Sequence, residues 1–353
     1  MTPEELVRPE VLAMSAYHVP DAGGMVKLDA MENPYPLPEG LRRELAERLA
    51  RIELNRYPEP NPRRLCRRIA QAMRVPAGME VLLGNGSDDL IQIVALALAR
   101  PGAAMMFPAP TFVMYSVNAA LTGMRAVPVA LREDFSLDRD AFVARLREVR
   151  PALVFLAYPN NPTGVLYPAA DVEAIVRAAE GLVVVDEAYH AFAGASFLPR
   201  LAEFPNLVVL RTLSKVGLAG LRLGYLAGAP AWLEQFNKVR QVYNVNALTE
   251  AAASFLLERL DVLEEQAARI RAGRSELARS LGAMNGVRVF PSQANFLLVR
   301  VRDAAGTFER LRKQGVLVKN LHPGVAGCLR ITVGTPDENR ILLAALEEAL
   351  AHA

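Results

Sequence analysis

The chain has 353 residues, which is more than one ordinary apolar core holds and enough for one large and one smaller domain. Its 40 basic and 38 acidic residues nearly cancel and are spread along the whole length, which argues against nucleic acid or an anionic membrane as a partner. The two cysteines, Cys66 and Cys328, lack metal-site spacing, and the first thirty residues lack a signal-peptide pattern. We therefore expect a cytoplasmic protein with no membrane span and no structural metal.

Residues 1–24 mix Pro and Gly with single apolar residues and show no periodicity, and residues 25–29 are predicted to form a short extended piece. Such an arm has to lie on another part of the protein, and we expect residues 1–30 to pack with the smaller domain. Apolar spacing predicts helices at 39–53 and 62–73. Tyr57 lies between these two helices, in a loop flanked by proline.

A short strand at 81–83 is predicted to lead through a tight turn at Gly86 into a helix that begins at Ser87 and ends near residue 99. Ser87 is a typical N-cap residue, and Asp88 lies in the first turn. Backbone N–H groups at such a helix start, with a serine hydroxyl beside them, suit a phosphate monoester. The same residues also fit a merely well-capped helix, because the turn lacks the third glycine of a dinucleotide fingerprint and the lysine of a P-loop.

From residue 103 to residue 210, predicted strands alternate with amphipathic helices. Continuous apolar strands of this kind indicate an α/β fold, with a mostly parallel sheet covered by helices on both faces. The strands are predicted at 103–107, 125–129, 153–157, 182–185 and 207–210, and the helices at 111–121, 138–148 and 168–179. In such folds, binding sites gather at the carboxyl ends of the strands.

Polar residues follow three of these strands directly: Asn161, Asp186 with Tyr189, and Ser214 with Lys215. Asp186 ends an all-aliphatic strand, so its carboxylate needs a cationic or strongly donating partner, because burying it unpaired is costly. A protonated pyridine nitrogen would require such a carboxylate, and helix capping is the alternative role for it.

Lysine is rare in this chain, which has 35 arginines and five lysines. Lys215 nevertheless follows a core strand directly, in a loop that is apolar apart from Arg222. Arginine cannot lose its proton in a protein, whereas a lysine in an apolar, cation-flanked site can have its pKa lowered enough to form a Schiff base. A lysine that extends from a surface loop to solvent is the alternative.

After residue 230 the pattern changes to helices mixed with strands of alternating polarity, which predicts a smaller α+β domain. The helices are predicted at 231–241, 247–281, 304–314 and from 336, and the strands at 287–290, 294–299, 316–318 and 328–333. We expect the long helix at 247–281 to link two domains. The predicted division is an arm at 1–30, a large domain at 31–245 and a small domain at 246–353.

The candidate site residues comprise an amine, a buried carboxylate, a phenol, an amide and a phosphate cradle. They are Lys215, Asp186, Tyr189, Asn161, the cradle residues Gly86, Ser87 and Asp88, and further donors at Ser214 and Arg222. Pyridoxal 5'-phosphate needs all of these groups. Its aldehyde requires the amine, its ring nitrogen the carboxylate, its 3'-oxygen a donor, and its phosphate amides, hydroxyls and an arginine.

Here the chain resembles the class I/II aminotransferases of fold type I, whose fold has a large α/β domain and a smaller α+β domain. Nine segments spread over nearly the whole chain carry the resemblance. They are Leu28-Asp-Ala-Met-Glu-Asn33-Pro-Tyr35, Arg56-Tyr57-Pro58, Gly84-Asn-Gly-Ser-Asp88, Asn160-Asn161-Pro-Thr-Gly164, Asp186-Glu-Ala-Tyr189, Ser214-Lys215, Gly220-Leu-Arg222, Gln293-Ala-Asn-Phe296 and Leu329-Arg330-Ile-Thr-Val-Gly334.

The resemblance implies a homodimer with pyridoxal 5'-phosphate as cofactor and Lys215 as the catalytic residue. It also implies that Phe112 stacks on the cofactor ring and that Tyr57 reaches the cofactor phosphate of the partner subunit. Substrate binding is expected from Tyr17, Asn33, Asn161, Lys319 and Arg330. Many relatives have a tyrosine where this chain has Phe112 and an arginine where it has Lys319. The loop after Lys215 is one residue shorter than the form expected in the family.

Within the family, the chain is similar to members that transfer the amino group of histidinol phosphate to 2-oxoglutarate, which becomes glutamate. An aromatic aminotransferase or a phospho-amino-acid decarboxylase would carry the same cofactor residues, because those residues specify the cofactor and not the substrate. A non-catalytic regulator built on the fold is a more distant alternative, and no fused DNA-binding segment supports it.

Overall fold

The structure is a computed structural model that describes residues 1–16 and 20–351. In these ranges the α-helices are α1 (Pro3–Leu6), α2 (Pro9–Leu12), α3 (Glu39–Leu49), α4 (Arg63–Ala72), α5 (Ser87–Leu98), α6 (Met114–Thr122), α7 (Arg139–Val149), α8 (Ala169–Ala178), α9 (Pro230–Val239), α10 (Ala247–Leu256), α11 (Leu260–Gly282), α12 (Ala304–Lys313) and α13 (Pro336–Ala351). The strands are β1 (Val26–Lys27), β2 (Glu80–Gly84), β3 (Ala104–Ala109), β4 (Arg125–Ala130), β5 (Leu153–Ala157), β6 (Leu182–Asp186), β7 (Leu207–Thr212), β8 (Gly224–Gly228), β9 (Arg288–Val289), β10 (Phe296–Arg300), β11 (Val316–Leu317), β12 (Lys319–Asn320) and β13 (Cys328–Thr332).

Seven strands form the central sheet in the order β2-β8-β7-β6-β5-β3-β4. The pairs among β7, β6, β5, β3 and β4 are parallel, whereas β8 runs antiparallel to β2 and β7. Alternate residues of β5 enter different apolar clusters, with Val154 and Leu156 in one and Leu153 and Phe155 in the other. Both faces of the sheet are therefore covered, which confirms the predicted α/β architecture.

The register of this sheet brings three strand ends level with one another. Ala157 of β5 is the register partner of Asp186 in β6, and Asp186 is in turn the register partner of Leu210 in β7. Strand β7 continues as far as Thr212 and then enters a π-helical turn at Ser214–Leu218. The residues after these strands consequently meet at one edge, as the sequence predicts.

The C-terminal part of the chain builds a second, four-stranded antiparallel sheet in the order β12-β13-β10-β9. Its apolar cluster includes residues of α11, α12 and α13, such as Ile270, Leu311 and Leu342. The domain boundaries at 31–245 and 246–353 stay a prediction, which this separate sheet supports.

The N-terminal arm contacts both parts of the protein. Its second half pairs with the C-terminal part, because β1 lies parallel to β11. Its first half lies instead on α6, where the Arg8 guanidinium donates a hydrogen bond to the Leu121 carbonyl at 3.0 Å. Carbonyl groups in the last turn of a helix have no partner within that helix, so Arg8 satisfies one of them. The packing of residues 1–30 with the smaller domain stays a prediction, which the pairing of β1 with β11 supports.

Two elements differ from the sequence-based expectation. Strand β8 was not predicted, because its segment is short and glycines bound it at both ends, a composition that is depleted in strands. The long helix predicted at 247–281 is interrupted by a 3₁₀ turn at Leu257–Arg259, where Arg259 leaves the helical conformation (φ −130°, ψ 35°). No Gly or Pro marks this break, so the apolar pattern continues through it.

Candidate active site

A cleft opens at the carboxyl ends of β5, β6 and β7. Its lining residues are Met31, Ser87, Asp88, Phe112, Ala157, Pro159, Asn161, Asp186, Ala188, Tyr189, Thr212, Ser214, Lys215 and Arg222. Of the residues predicted to bind the cofactor, all except Gly86 and Tyr57 line this cleft. Among these predicted residues, the structure therefore brings together side chains that lie as much as 135 positions apart in the sequence, from Ser87 to Arg222.

Lys215 lies in the π-helical turn that follows β7, and its side chain is directed into the cleft. Its Nζ donates a hydrogen bond to the Ala30 carbonyl at 3.0 Å. Burial, followed by the positive charge of Arg330, lowers the pKa of the Lys215 ammonium to about 8. A neutral, nucleophilic amine is therefore accessible close to physiological pH.

Asp186 occupies the buried end of the cleft and is 5% exposed. Its Oδ2 accepts a hydrogen bond from the Tyr115 hydroxyl at 2.7 Å, and its Oδ1 accepts one from the Ala188 backbone N–H at 3.0 Å. Burial raises the pKa of the Asp186 carboxyl to about 6, although the Tyr115 and Ala188 hydrogen bonds act in the opposite direction. The sequence predicts a cationic or strongly donating partner for this carboxylate, and in the structure that partner is the Tyr115 hydroxyl.

Two glycines shape the turn between β2 and α5. Gly86 has a φ of +85°, a conformation that glycine adopts readily and other residues rarely. A Cβ at Gly86 would lie 2.7 Å from Nη2 of Arg222, and a Cβ at Gly224 would lie 2.7 Å from the Ser87 nitrogen. The absence of these two side chains lets β8 and the Arg222 guanidinium approach the first turn of α5.

Donor groups converge on the start of α5. The first backbone N–H groups of a helix have no acceptor within the helix and carry its partial positive charge. The Arg222 guanidinium lies 3.8 Å from the Asp88 carboxylate and 3.3 Å from Ser214 Oγ. Thr212 also donates to Ser214 Oγ, at 2.9 Å. Amides, hydroxyls and one guanidinium are the groups that bind a phosphate monoester.

The remaining lining residues predicted to bind the cofactor surround the middle of the cleft. Phe112 packs its ring edge-on against Tyr115, with the ring centroids 5.7 Å apart. The Tyr189 hydroxyl lies 3.3 Å from the sulfur of Met31, and burial raises the pKa of that hydroxyl well above its usual value. Asn161 accepts a hydrogen bond through its Oδ1 and lines the cleft.

Two of the residues predicted to bind substrate, Lys319 and Arg330, belong to the C-terminal sheet, whereas Asn33 belongs to the segment after β1. Arg330, in β13, donates to Asn161 Oδ1 at 2.6 Å and to the Asp29 carbonyl at 2.9 Å. Lys319, in β12, is the register partner of Arg330, so the two cationic side chains leave the same face of the sheet. Asn33 does not line the cleft, and its amide donates to the Val216 carbonyl at 3.1 Å and to Gln266 Oε1 at 2.8 Å.

Two further predicted residues are Tyr57, which does not line the cleft, and Tyr17. Tyr57 is 81% exposed, and its ring stacks on that of Tyr243 at a centroid distance of 4.6 Å. Tyr17 lies outside the described residues. The expectation that a second copy of the chain receives Tyr57 is compatible with this exposure.

Sequence reasoning missed Tyr115, Thr212 and the backbone of Ala30. Tyr115 follows Phe112 by one helical turn, so a search for an aromatic hydroxyl near the end of the neighbouring strand would have found it as a candidate partner of Asp186. The Ala30 carbonyl carries no such signal, because its position depends on how the arm packs. In the described part of the chain, no three or more His, Cys, Asp or Glu side chains are grouped so that they could hold a metal ion.

Comparison with known proteins supplies independent information on this site. A family model described as "Aminotransferase class I and II" matches residues 23–346. The chain is 58% identical to histidinol-phosphate aminotransferase 1 of Burkholderia lata, with 99% of each chain covered. It is 59% identical to histidinol-phosphate aminotransferase 2 of Cupriavidus pinatubonensis, over 98% of this chain and 97% of that one.

Among solved structures, histidinol-phosphate aminotransferase from Sinorhizobium meliloti in complex with pyridoxal-5'-phosphate is similar, with a TM-score of 0.88 and 26% identity. The similarity covers 98% of both chains. It confirms the predicted fold, the type I fold of pyridoxal-phosphate-dependent transferases. From the family match over most of its length, the chain belongs to the class I and II aminotransferases.

Proposed function

We propose that this protein is a pyridoxal-phosphate-dependent aminotransferase that converts histidinol phosphate and 2-oxoglutarate into imidazole-acetol phosphate and glutamate. In this exchange the amino group of one substrate replaces the carbonyl oxygen of the other. The observation that carries the reaction class is the cleft, which joins the Lys215 amine and the Asp186 carboxylate to the donor groups at the start of α5. The choice of substrate is supported by the relatives named histidinol-phosphate aminotransferase, at 58% and 59% identity.

The residues of the cleft fit pyridoxal phosphate on structural grounds. The cradle at the start of α5 exists because Gly86 and Gly224 lack side chains, since a Cβ at either position would meet Arg222 or Ser87. The donors around it, which are helix N–H groups, Ser214 and Arg222, match a phosphate ester. A buried carboxylate and a deprotonatable amine complete the set of groups that this cofactor requires.

Each part of the cofactor would have its own residues. Ser87, Ser214 and Arg222 would hold the phosphate together with the N–H groups of Gly86 to Asp88. Phe112 would pack on the ring, Asn161 and Tyr189 would bind its 3'-oxygen, and Asp186 would face its nitrogen. When bound, pyridoxal phosphate supplies an aldehyde and an electron-withdrawing ring that accepts the electron pair of the substrate's Cα–H bond.

Lys215 is the residue that we propose moves the proton of the substrate. A pKa of about 8 leaves part of the Lys215 amine neutral near physiological pH, so its Nζ can remove a proton from the substrate Cα. Asp186 keeps a negative charge at the buried end of the cleft once a positively charged partner lies beside it, since an opposite charge favours the ionised form. The Tyr115 hydroxyl fixes the orientation of that carboxylate.

Arg330 and Lys319 are the residues that we propose select the substrate. Their positions on adjacent strands place two cations on one face of the C-terminal sheet, next to Asn161 of the cleft. A phosphate dianion would make charge-assisted hydrogen bonds worth about 1.5–3 kcal/mol each with such groups. The α-carboxylate of glutamate would use Arg330 in the second half of the reaction, because the planar guanidinium suits a carboxylate.

We also propose that two copies of the chain form a dimer and that Tyr57 of each copy completes the cleft of the other. Tyr57 belongs to a group of exposed apolar side chains that includes Leu54, Val242 and Tyr243, with exposures from 38% to 81%. Exposed apolar groups of this kind mark an interaction surface. A two-fold interface would bring the same surface of each copy together.

The proposed location is the cytoplasm, with small molecules and a second copy as the partners. Both cysteines are free thiols, and Cys328 is buried, which suits a reducing compartment. No helix in residues 1–16 or 20–351 combines the length and apolarity needed to cross a membrane.

The reaction can be tested by incubating the purified protein with pyridoxal phosphate, histidinol phosphate and 2-oxoglutarate and measuring the glutamate formed. Lys215→Arg is the matched variant, because it keeps the positive charge and removes the amine that can lose its proton. We expect glutamate with the wild type and a rate lower by about 10³-fold or more with the variant. Absence of glutamate with the wild type, or equal rates for both proteins, would contradict the proposal.

A further inference from the structure

A buried ion pair lies directly behind the cleft, between Glu187 and Arg211. Glu187 is fully buried and Arg211 is 6% exposed. The Arg211 Nε and Nη2 atoms lie 2.9 Å and 2.8 Å from Glu187 Oε2. The two residues are adjacent in sequence to cleft residues, because Glu187 follows Asp186 and Arg211 precedes Thr212.

Hydrogen bonds connect this pair to two further parts of the chain. The Phe197 backbone N–H donates to Glu187 Oε1 at 2.5 Å, and the Ser196 hydroxyl lies within 3.0 Å of both carboxylate oxygens. Arg211 also donates to Ser196 Oγ at 2.9 Å and to the Tyr225 hydroxyl at 3.4 Å. The network therefore joins the end of β6, the end of β7, strand β8 and the loop at 196–197.

The position of the pair within the sheet separates it from the cofactor. Successive residues of a strand face opposite sides of a sheet. Asp186 and Thr212 line the cleft. Arg211 precedes Thr212 in β7, and Glu187 directly follows β6, where its N–H still donates to the Leu210 carbonyl of β7 at 2.8 Å, so both lie on the other face. Arg211 is also the register partner of Tyr225, which places the Tyr225 hydroxyl on that same face. The pair can thus fix the strand ends from behind without lining the cleft.

The stability of the protein does not by itself account for such a pair. Removing two charges from water carries a large desolvation cost, and replacement of a buried ion pair by uncharged residues of similar size is often neutral or stabilising. Loss of one partner alone is strongly destabilising, because it leaves a buried charge without its counterion. An effect on stability and an effect on the cleft can therefore be separated by changing both residues together.

We propose that the Glu187–Arg211 pair is a positioning element that holds the end of β6 against the end of β7, and so sets Asp186 and Lys215 in their places in the cleft. Lys215 follows Arg211 by four residues, through the π-helical turn whose position β7 determines. Without the pair, the two strand ends are held only by the backbone ladder and by packing. This inference rests on the proposed function, since it concerns the geometry that the cofactor needs.

The test is the double substitution Glu187→Gln with Arg211→Met in the full chain. The new glutamine would keep an acceptor for the Phe197 N–H, and both charges are removed together. Three quantities are measured: the Tm of the ligand-free protein, the Kd for pyridoxal phosphate, and the pH midpoint of the rate at which the ligand-free protein captures the cofactor. That midpoint reports the ionisation of Lys215, whose pKa is about 8 in the intact protein.

We expect the double variant to fold with a Tm within about 5 °C of the wild type. Its Kd for pyridoxal phosphate should rise by about tenfold or more, and the midpoint should move upward, towards the ordinary lysine value of 10.5. The midpoint decides the question, because a purely structural role would not change the ionisation of Lys215. The matched control is Glu309→Gln with Arg312→Met, which removes an exposed ion pair of 2.9 Å on α12 and should alter neither the Kd nor the midpoint.

If the double variant does not fold, Arg211→Lys serves in its place, because lysine keeps the charge and loses the two-point contact. The same upward shift of the midpoint is then expected. A folded variant with the wild-type midpoint and wild-type Kd would show the inference to be wrong while leaving the proposed function intact. Failure of the wild type to bind pyridoxal phosphate would instead contradict the proposed function, so the two failures can be told apart.

Discussion

Burial moves the pKa values of the two ionisable groups of the cleft in opposite directions. It lowers that of Lys215 from 10.5 to about 8 and raises that of Asp186 from 3.8 to about 6, because each group is less stable when charged inside the protein. Both shifts bring the groups closer to the uncharged state in the absence of a ligand. A positively charged ring nitrogen beside Asp186 would reverse the shift of that carboxyl, so ligand binding and ionisation are linked.

The raised pKa of Asp186 has a consequence for the free energy of unfolding. A carboxyl group with a higher pKa in the folded state stabilises the protein below its unfolded pKa, and this contribution is lost as the pH rises through about 6. Asparagine does not titrate, so Asp186→Asn removes this pH-dependent loss of stability. Urea unfolding of the ligand-free proteins should show that the variant gains up to about 3 kcal/mol relative to the wild type between pH 4 and pH 7.5. A difference that stays constant with pH would contradict the burial of a titrating carboxyl at this position.

Tyr115→Phe tests the hydrogen bond that orients Asp186. The substitution keeps the ring contacts with Phe155 and Phe112 and removes the 2.7 Å hydrogen bond to the carboxylate. Hydrogen bonds to charged groups contribute about 1.5–3 kcal/mol, so the Kd for pyridoxal phosphate should rise by about tenfold or more, with a larger rise at pH 6 than at pH 8. Absorbance titration with the cofactor measures this change.

Tyr167→Phe is the matched control for that experiment. Tyr167 is also fully buried, and in the described part of the chain its hydroxyl has no hydrogen-bond partner. Removal of this hydroxyl should leave the Kd unchanged. A similar loss of affinity in both variants would mean that the Tyr115 hydroxyl has no specific role.

At the scale of secondary-structure elements, the turn between β2 and α5 shows how a strand and a helix build a binding site. The turn needs glycine at position 86 for two separate reasons, its φ of +85° and the space taken by Arg222. Only the second reason concerns the proposed phosphate site. The two effects can be separated, because Gly78 has a similar φ of +81°. A Cβ at Gly78 would have no heavy atom of the described residues within 4 Å, apart from those of Gly78 and its two chain neighbours.

Gly86→Ala should therefore weaken the binding of pyridoxal phosphate by about tenfold or more, since the new Cβ displaces the Arg222 guanidinium. Gly78→Ala should cost a comparable amount of stability, about 1 kcal/mol, and leave the cofactor affinity unchanged. The Kd and the Tm of both variants are the measurements. Equal affinities in the two variants would argue against a phosphate cradle at this turn.

The elements that could be predicted from the sequence are those with strong local patterns. Buried parallel strands such as β5 and β6 are continuous apolar runs, and the residues at their ends follow directly in the sequence. Strand β8 lacks such a run, and the break between α10 and α11 has no Gly or Pro. In both places tertiary packing determines the conformation, and the local sequence contains no pattern that predicts it.

The candidate site likewise contains residues that the local sequence predicts and residues that it does not. Lys215 and Asp186 were predictable because each is an ionisable residue, costly to bury, at the end of an apolar strand. Their partners, the Tyr115 hydroxyl and the Ala30 carbonyl, come from α6 and from the arm. These contacts depend on long-range packing, which a single sequence does not specify.

At the scale of the whole molecule, the exposed ring of Tyr57 supports our proposal that a second copy of the chain completes the cleft. If each cleft uses Lys215 of one copy and Tyr57 of the other, mixing two inactive or weakened proteins should restore activity. Hybrid dimers of Lys215→Ala with Tyr57→Ala would contain one cleft with both defects and one cleft with none. We therefore expect about half of the wild-type activity per dimer in purified hybrids.

The control for this experiment is the doubly substituted chain mixed with the wild type. In that hybrid each cleft carries one defect, so its activity should fall below that of the first hybrid. Sedimentation measures the assembly of each sample. Full activity of a monomeric wild-type protein would contradict the shared site.

The most direct test of the proposed function is the kcat/KM for histidinol phosphate, compared with those for dephosphorylated histidinol and for phenylalanine, with 2-oxoglutarate as acceptor. Two charge-assisted contacts to the phosphate, each worth about 1.5–3 kcal/mol, should favour histidinol phosphate over histidinol by about 100-fold or more. Histidinol phosphate should likewise be preferred over phenylalanine. Equal kcat/KM values for phenylalanine and histidinol phosphate would contradict the proposal and identify the protein as an aromatic aminotransferase instead.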